Sequence, residues 1–413
     1  MQQSINTDRF IPVRKSEILE ACINHANFSN EQTIRFEKLA QLVISTIHFE
    51  YHLLLEELKN NYAPFDPNAD TLTVKEYSQK QLSDMQQQFS TTFAQILNAG
   101  NFEKVTQQDL NDALTEESLF KVRLEVEFDD FEEVVFYRRG EYEKTELISK
   151  YWGLLKQQVT FTNYDKVAVY IKFKNKEYFE KAQRGQLNFE PSSTIIKLFQ
   201  NVPKADLEML FPNSEVKMRP IDKAIIGGSA LIGGGIMLAT KLGASIVLLL
   251  AITSYYLGLS NNEVTIGTKE LLALGAAAGV LGGFIFKEWS KFKNRKLKFM
   301  KALADNLYFK NMDNNAGVFH HLIDSAEEEE CKETILAYYF LLKNNEPMTE
   351  IELDSLIEDW FKETFDFAID FEVDDALQKL IRFELVTKLN DKYQANSIDV
   401  AHTNMDKKWD NLF

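Results

Sequence analysis

The sequence predicts a membrane-anchored α+β protein: mainly helical soluble regions with a small antiparallel sheet, a two-span Gly-rich helical hairpin, and a C-terminal winged-helix-like region. Three observations carry this expectation. Ala224 to Phe286, 63 residues, contain only four chargeable side chains, Lys241, Glu263, Lys269 and Glu270. Apolar residues recur at three and four on both sides of that block, as a helix buried along one face requires. In Lys121–Phe128 and again in Val167–Phe173 the period shortens to two, which places alternate side chains on opposite faces of a strand.

From the N-terminus, residues 16 to 60 read as helix, with Ile34, Leu39, Leu42, Val43, Ile47, Leu53, Leu54 and Leu58 in register and the segment NNYAPFDPNAD ending the run. Residues 72 to 99 repeat the pattern more weakly. Lys121 to Phe128 alternate strictly, Asp129-Asp130 suit a turn, and Val134 to Arg138 form a second strand. A short helix is expected around Glu146 to Gln157, followed by a third strand from Val167 to Phe173. The expected regions are a helical 1–117, an α+β 118–215, a membrane hairpin with basic flanks 216–302 and a helical 303–413.

The apolar block divides into Ala224–Thr240, Leu242–Leu259 and Leu271–Phe286, the second near the roughly 20 residues that a bilayer requires. Lys217, Arg219 and Lys223 precede it, and Lys287, Lys291, Lys293, Arg295, Lys296, Lys298 and Lys301 follow. Basic residues accumulate on the cytoplasmic side of a span. An even number of crossings keeps both flanks inside, so a two-span hairpin is expected, with Ser260 to Glu270 as the outer loop; whether Ala224 to Leu259 is one broken span or two stays open. Gly275, Gly279 and Gly283 recur at every fourth position, a glycine zipper that clears one helix face for close approach of a second helix, within the chain or between copies.

Beyond the basic stretch, Asn306 to Glu333 lead into an apolar helix Ile335 to Leu342. Asp313, Asn314 and Asn315 have short polar side chains suited to capping a helix that begins near Gly317. A helix starting after Thr349, a third over Val373 to Phe383 and a hairpin around Asn390-Asp391 complete a winged-helix-like pattern. Cys331 to Phe413 hold 18 acidic and 9 basic residues, a net of −9, and the third helix carries Asp374, Asp375 and Glu384. Neutralising DNA phosphates needs the opposite sign.

The whole chain, 413 residues with 46 Lys plus Arg against 62 Asp plus Glu, has a formal charge of −16, which argues against nucleic acid as a partner. Its two cysteines, Cys22 and Cys331, form no CxxC pair and fit a reducing compartment. Residues 1 to 30 lack the apolar core of a signal peptide and balance Arg9, Arg14 and Lys15 against Asp8, Glu17 and Glu20, so the N-terminus is expected in the cytosol.

Candidate chemistry is sparse. His320, Asp324 and Glu328 share a helix face and lie beside His321, Glu327 and Cys331, so an imidazole and carboxylates converge as weak metal candidates. A solvated acidic face is the expected alternative. His48, His52 and Glu56 form a second row without the glutamate of HEXXH. No GxSxG or GxGxxG occurs, GGSALIGGG lacks the phosphate-loop lysine, and Cys22 with His25 suits local packing. No cofactor is implied.

Three stretches, FIPVRKSEIL near the start, NVPKADLEMLFPNSEVKMRPIDK before the apolar block and NLYFKNMDNNAGVFHHLIDSAEEEECKETILAYYFLL after it, resemble the transmembrane protein 143 family, also catalogued as domain of unknown function 3754. The resemblance implies membrane association, mitochondrial in animals and widespread in bacteria, and implies no reaction. With the balanced N-terminus, it leads to a multi-pass protein of the bacterial cytoplasmic membrane with both termini cytoplasmic.

The expected function is that of an integral membrane protein acting as an interaction or scaffold protein. Its expected partners are the lipid bilayer, further copies through the glycine-rich helices, and an unidentified protein. An oligomeric channel or transporter, and a membrane-tethered metal-dependent enzyme, are the alternatives.

Overall fold

The computed structural model describes residues 9–69, 71, 74–106, 109–110, 123–150, 155–183, 187, 189–213, 215–217, 250, 253–254, 257, 267–344 and 346–412. Two compact units make up the chain: Met1–Glu116, Phe128–Pro212 and Phe309–Phe413 form the first, Glu117–Glu127 and Asn213–Tyr308 the second. The helices are α1 (Lys15–Ala26), α2 (Asn30–Tyr62), α3 (Gln79–Ala99), α4 (Lys176–Lys181), α5 (Thr268–Lys310), α6 (Ala316–Asn344), α7 (Glu350–Phe365), α8 (Val373–Arg382) and α9 (Ile398–Asp410). The strands are β1 (Glu103–Lys104), β2 (Arg123–Glu125), β3 (Phe131–Lys150), β4 (Leu155–Phe173), β5 (Thr194–Pro203), β6 (Glu215–Lys217), β7 (Asn311–Asn314), β8 (Met348–Thr349), β9 (Val386–Leu389) and β10 (Lys392–Ala395).

In the first unit, local signals start the helices. Ser29, Ser78 and Thr349 each accept a hydrogen bond from the backbone N–H three residues on, and the side-chain oxygens of Gln32, Gln81 and Glu352 accept one from the cap's own N–H. These reciprocal pairs satisfy two of the donors that a helix start leaves open. The buried stripe of α2 runs Phe36, Leu39, Val43, Ile47, Tyr51, Leu55, Leu58 and Tyr62, at the three-and-four spacing of one face.

β1, β3, β4, β5 and β7 form an antiparallel sheet in the order 1-3-4-5-7. Ala168, Tyr170, Ile196 and Leu198 point from it into the helical core. The opposite-facing Val167, Val169, Ile171 and Phe199 are buried with Leu207, Met209 and Leu210 of the 3-10 turn Lys204–Leu210, and the Phe211 ring stacks on Phe131 at 5.7 Å and meets Phe136 at a tilt at 5.1 Å. Helices thus cover one face and a turn the other. Tyr62 ties α2 to the sheet by donating to the Thr194 carbonyl at 2.7 Å.

α6 is the hub. Every residue from Cys331 to Leu341 is buried, so this stretch is enclosed on all sides, and α1, α2, α3, α7 and α8 pack along the helix. It follows β7 directly through Asn315, whose φ of 52° turns the chain. Asn315 donates its N–H to the Ile196 carbonyl at 2.7 Å, and its Oδ1 accepts from the Ile196 N–H at 3.2 Å. Its side chain therefore secures β5 rather than the first turn of α6. Beyond α6 come β8, α7, α8 and the β9–β10 hairpin, whose strands pair in the order 8-10-9.

The membrane expectation is corrected. Among the described residues, no helix is long and apolar enough to cross a membrane. Leu271–Phe286 supplies only 16 residues, about 24 Å of helix against a hydrocarbon layer of about 30 Å, and α5 runs on unbroken into the basic residues 287–301. The other expected span, Ala224–Leu259, lies outside the described residues apart from Leu250, Thr253, Ser254 and Leu257, as do residues 260–266 of the expected loop. The membrane-anchored fold class, the integral-membrane function with its channel or transporter variant, the transmembrane character and the multi-pass cytoplasmic-membrane location are accordingly set aside. What stands is an α+β fold with an antiparallel sheet.

A second expectation also changes. The described parts of the expected helix, Glu146–Lys150 and Leu155–Gln157, are strand: Glu146 pairs with Val159 and Ile148 with Gln157 between the long strands β3 and β4, and residues 151–154 lie outside the described residues. The second unit contains the short antiparallel pair β2–β6, with Leu124 opposite Val216, and most of α5.

Candidate functional site: an acidic groove on the central helix

Successive residues of a helix point about 100° apart, so four consecutive glutamates cannot share one face. In α6 they take different partners. Glu327 Oε2 lies 2.7 Å from His48 Nδ1 and Glu327 Oε1 lies 3.5 Å from Lys15 Nζ. Glu328 accepts the Lys15 backbone N–H at 2.8 Å, Glu329 points into the interior, and Glu330 pairs with Lys379 of α8.

The interior cluster consists of Glu329, Lys332, Glu333 and Asn101. Lys332 donates to Glu329 Oε1 at 2.5 Å. Asn101 Nδ2 lies 3.3 Å from Glu329 Oε2 and 3.1 Å from Glu333 Oε1. Removal from water disfavours an isolated charge, and a partner is what makes it tolerable. Burial, reinforced by the neighbouring Glu329, pushes the Glu333 carboxyl well above the usual carboxylate range against the opposing Asn101 bond. Nearby, burial and the Arg139 charge lower the Lys166 ammonium, opposed by Asp165, Asp324 and Glu329.

The segment Arg9–Lys15 lies across this cluster without joining a sheet. Up to Arg14, after which α1 begins, its alternation is that of an extended chain: Ile11 and Val13 are buried, Pro12 and Arg14 exposed. Side chains read its main chain. Glu329 accepts from the Ile11 N–H at 3.0 Å, Lys332 donates to the Ile11 carbonyl at 2.7 Å, and Asn101 donates to the Arg9 carbonyl at 3.0 Å. The Arg9 guanidinium meets Glu372 at 2.6 Å, and the Phe10 ring lies 4.2 Å from the Arg139 guanidinium and 5.3 Å from Lys332 Nζ.

The residues singled out from sequence are only partly brought together. His320 and Asp324 are exposed, whereas Glu328 is engaged by Lys15. His321 sits 3.5 Å from Asp313. Among the described residues, no group of three or more His, Cys, Asp or Glu is arranged to hold a metal. Burial pushes the Cys331 thiol up to about 12, which keeps it from forming the nucleophilic thiolate. Asp313 accepts the Asn314 N–H at 2.8 Å and fills the space beside the Gly317 Cα. Gly275, Gly279 and Gly283 lie on α5 with no described atom within 4 Å of the position a Cβ would take.

Sequence reasoning missed Asn101, Arg139, Glu329, Lys332 and Glu333. A signal existed: Cys331 on one side and the apolar run from Ile335 to Leu342 on the other mark that part of α6 as enclosed, which carries Lys332 and Glu333 inward with it. A family model described as "Protein of unknown function (DUF3754)" matches residues 164–317, from β4 to the first turn of α6. No solved structure matches the chain.

Proposed function

We propose that this is a self-associating interaction protein whose contact element is α5. One observation carries the reading: Leu272, Gly275, Gly279, Gly282, Phe286, Trp289 and Lys293 follow one another at alternating steps of three and four, and all are exposed. That alternation averages 3.5, the spacing of the seam between paired helices. The glycines permit close approach, while Leu272 at 70%, Phe286 at 67% and Trp289 at 57% exposure present large apolar surface that a second copy of the helix would remove from water. Lys293 rests over the Trp289 ring at 5.2 Å and extends the seam toward its basic end.

The family model gives this reading no activity, and the finer resemblance to the transmembrane protein 143 family is proposed as kinship only, without a membrane role. Sedimentation velocity on the full chain over a wide concentration range tests the proposal. A concentration-dependent dimer that Gly279→Leu or Trp289→Glu converts to monomer is expected. A parent chain that stays monomeric throughout would sink it.

A further inference from the structure

We infer that the groove on α6 is a recognition site for a basic, extended peptide, and that Arg9–Lys15 is its resident occupant in cis. Three features support this beyond ordinary core packing. The first is how the segment is held: three main-chain groups of its extended part, the Arg9 and Ile11 carbonyls and the Ile11 N–H, are bound by the side chains of Asn101, Lys332 and Glu329, and Glu328 accepts the N–H of Lys15, where α1 begins. Reading the backbone of an extended chain while alternate side chains enter pockets is how peptide-binding grooves work. Ile11 and Val13 are those inward side chains, and Pro12 between them predisposes the segment to the extended form.

The second is charge. The segment carries Arg9, Arg14 and Lys15, and Glu372, Glu103, Glu327 and Glu328 stand within ion-pair distance of Arg9 and Lys15. The third is the Phe10 ring, which faces the cations of Arg139 and Lys332, so the aromatic residue adds specificity that a purely basic peptide lacks. The groove thus fits the order Arg, aromatic, aliphatic, Pro, aliphatic, Arg, Lys. A partner presenting it would compete with the chain's own segment, and the site is masked until that segment leaves.

The test uses full-length protein and a fluorescent peptide of sequence RFIPVRK. Ile11→Asp places a carboxylate in a buried slot beside Glu329 and should expel the resident segment. The Ile11→Asp chain is expected to bind the peptide at least tenfold more tightly than the parent, whose groove is filled. A peptide methylated on the Ile11 nitrogen, unable to donate to Glu329, should bind at least tenfold more weakly. If a folded Ile11→Asp chain binds the peptide no better than the parent, or ignores the methyl group, the inference is wrong. Unfolding of Ile11→Asp, seen as loss of its near-ultraviolet dichroism, would equally overturn it, because the segment would then be core.

Discussion

Lys332 Nζ lies 2.5 Å from Glu329 Oε1 one helical turn away, with the lysine side chain 2% and the glutamate 1% exposed. Opposite charges this deeply buried depend on each other: deleting one strands the other in a medium that solvates it poorly. Glu329→Gln should cost about 3–5 kcal/mol in urea unfolding, the range for breaking a buried pair. Adding Lys332→Met should recover part of the loss. A single variant as stable as the parent would show that water reaches the pair.

Glu333 gives stability a pH dependence whose sign follows from its raised pKa. Below the ordinary carboxylate pKa, folded and unfolded chains both hold the proton. Above it the unfolded chain releases the proton and the folded chain retains it, so stability falls as pH rises toward the folded value. Asp354, raised to about 6 by burial and by Glu358, Asp370 and Asp374, acts in the same sense between about 4 and 6. Glu333→Gln should raise the melting temperature relative to the parent by an amount that grows as pH rises above the ordinary carboxylate range. Parallel curves for parent and variant would refute the assignment.

Gly140 has φ +70°, and a Cβ there would stand 2.7 Å from the Asp165 Cβ on the facing strand. Both objections apply to alanine, one conformational and one steric. Gly140→Ala should destabilise by about 1–3 kcal/mol, the usual cost of overpacking, and Asp165→Gly on that background should relieve only the steric part. A thermal or denaturant midpoint unchanged by Gly140→Ala would contradict the geometry.

α8 buries Val373, Ala376, Leu377, Lys379 and Leu380, and it packs on α6, with Asp374 and Asp375 at its start. Its acidic start and the burial of Lys379 leave α8 without the cationic face that a DNA-reading helix of the winged-helix-like region would need. The full chain should fail to shift a labelled duplex at low salt. Micromolar, salt-sensitive binding would overturn this expectation.

The sequence was most readable where the deciding chemistry is local. Thr349 with Glu352 caps α7 within four residues, and Asn390, at φ 55°, turns β9 into β10 over two residues. It misled where distant partners decide. Glu146 to Gln157 suit a helix in isolation, but the strand pairing of Glu146 with Val159 outweighs that weak preference. The run Glu327 to Glu330 suggested a solvated face because Ile11, Lys15, His48 and Lys379, which receive those carboxylates, come from elsewhere in the chain. On α2, Ile34 and Leu53 fit the apolar count yet face water, while Tyr51 and Tyr62 take buried places. Leu271–Phe286 suggested a span because apolar content alone does not report where a helix ends.

The β3–β4 hairpin outruns its sheet. β5 reaches β4 only as far as Asn163, so among the described residues Glu143–Lys150 and Leu155–Thr162 pair with each other alone. Each outer edge of that ribbon offers backbone donors and acceptors that a foreign strand could adopt, the first step of fibrous aggregation. Alternating charge along Glu143, Lys144, Glu146 and Lys150, with Lys144 paired to Glu146 at 2.9 Å, makes such an addition bring like charges together or strip ions of water. Replacing Lys144 and Glu146 with valine would leave folding to the sheet behind them intact, and would turn the ribbon into a template on which copies of the chain could polymerise.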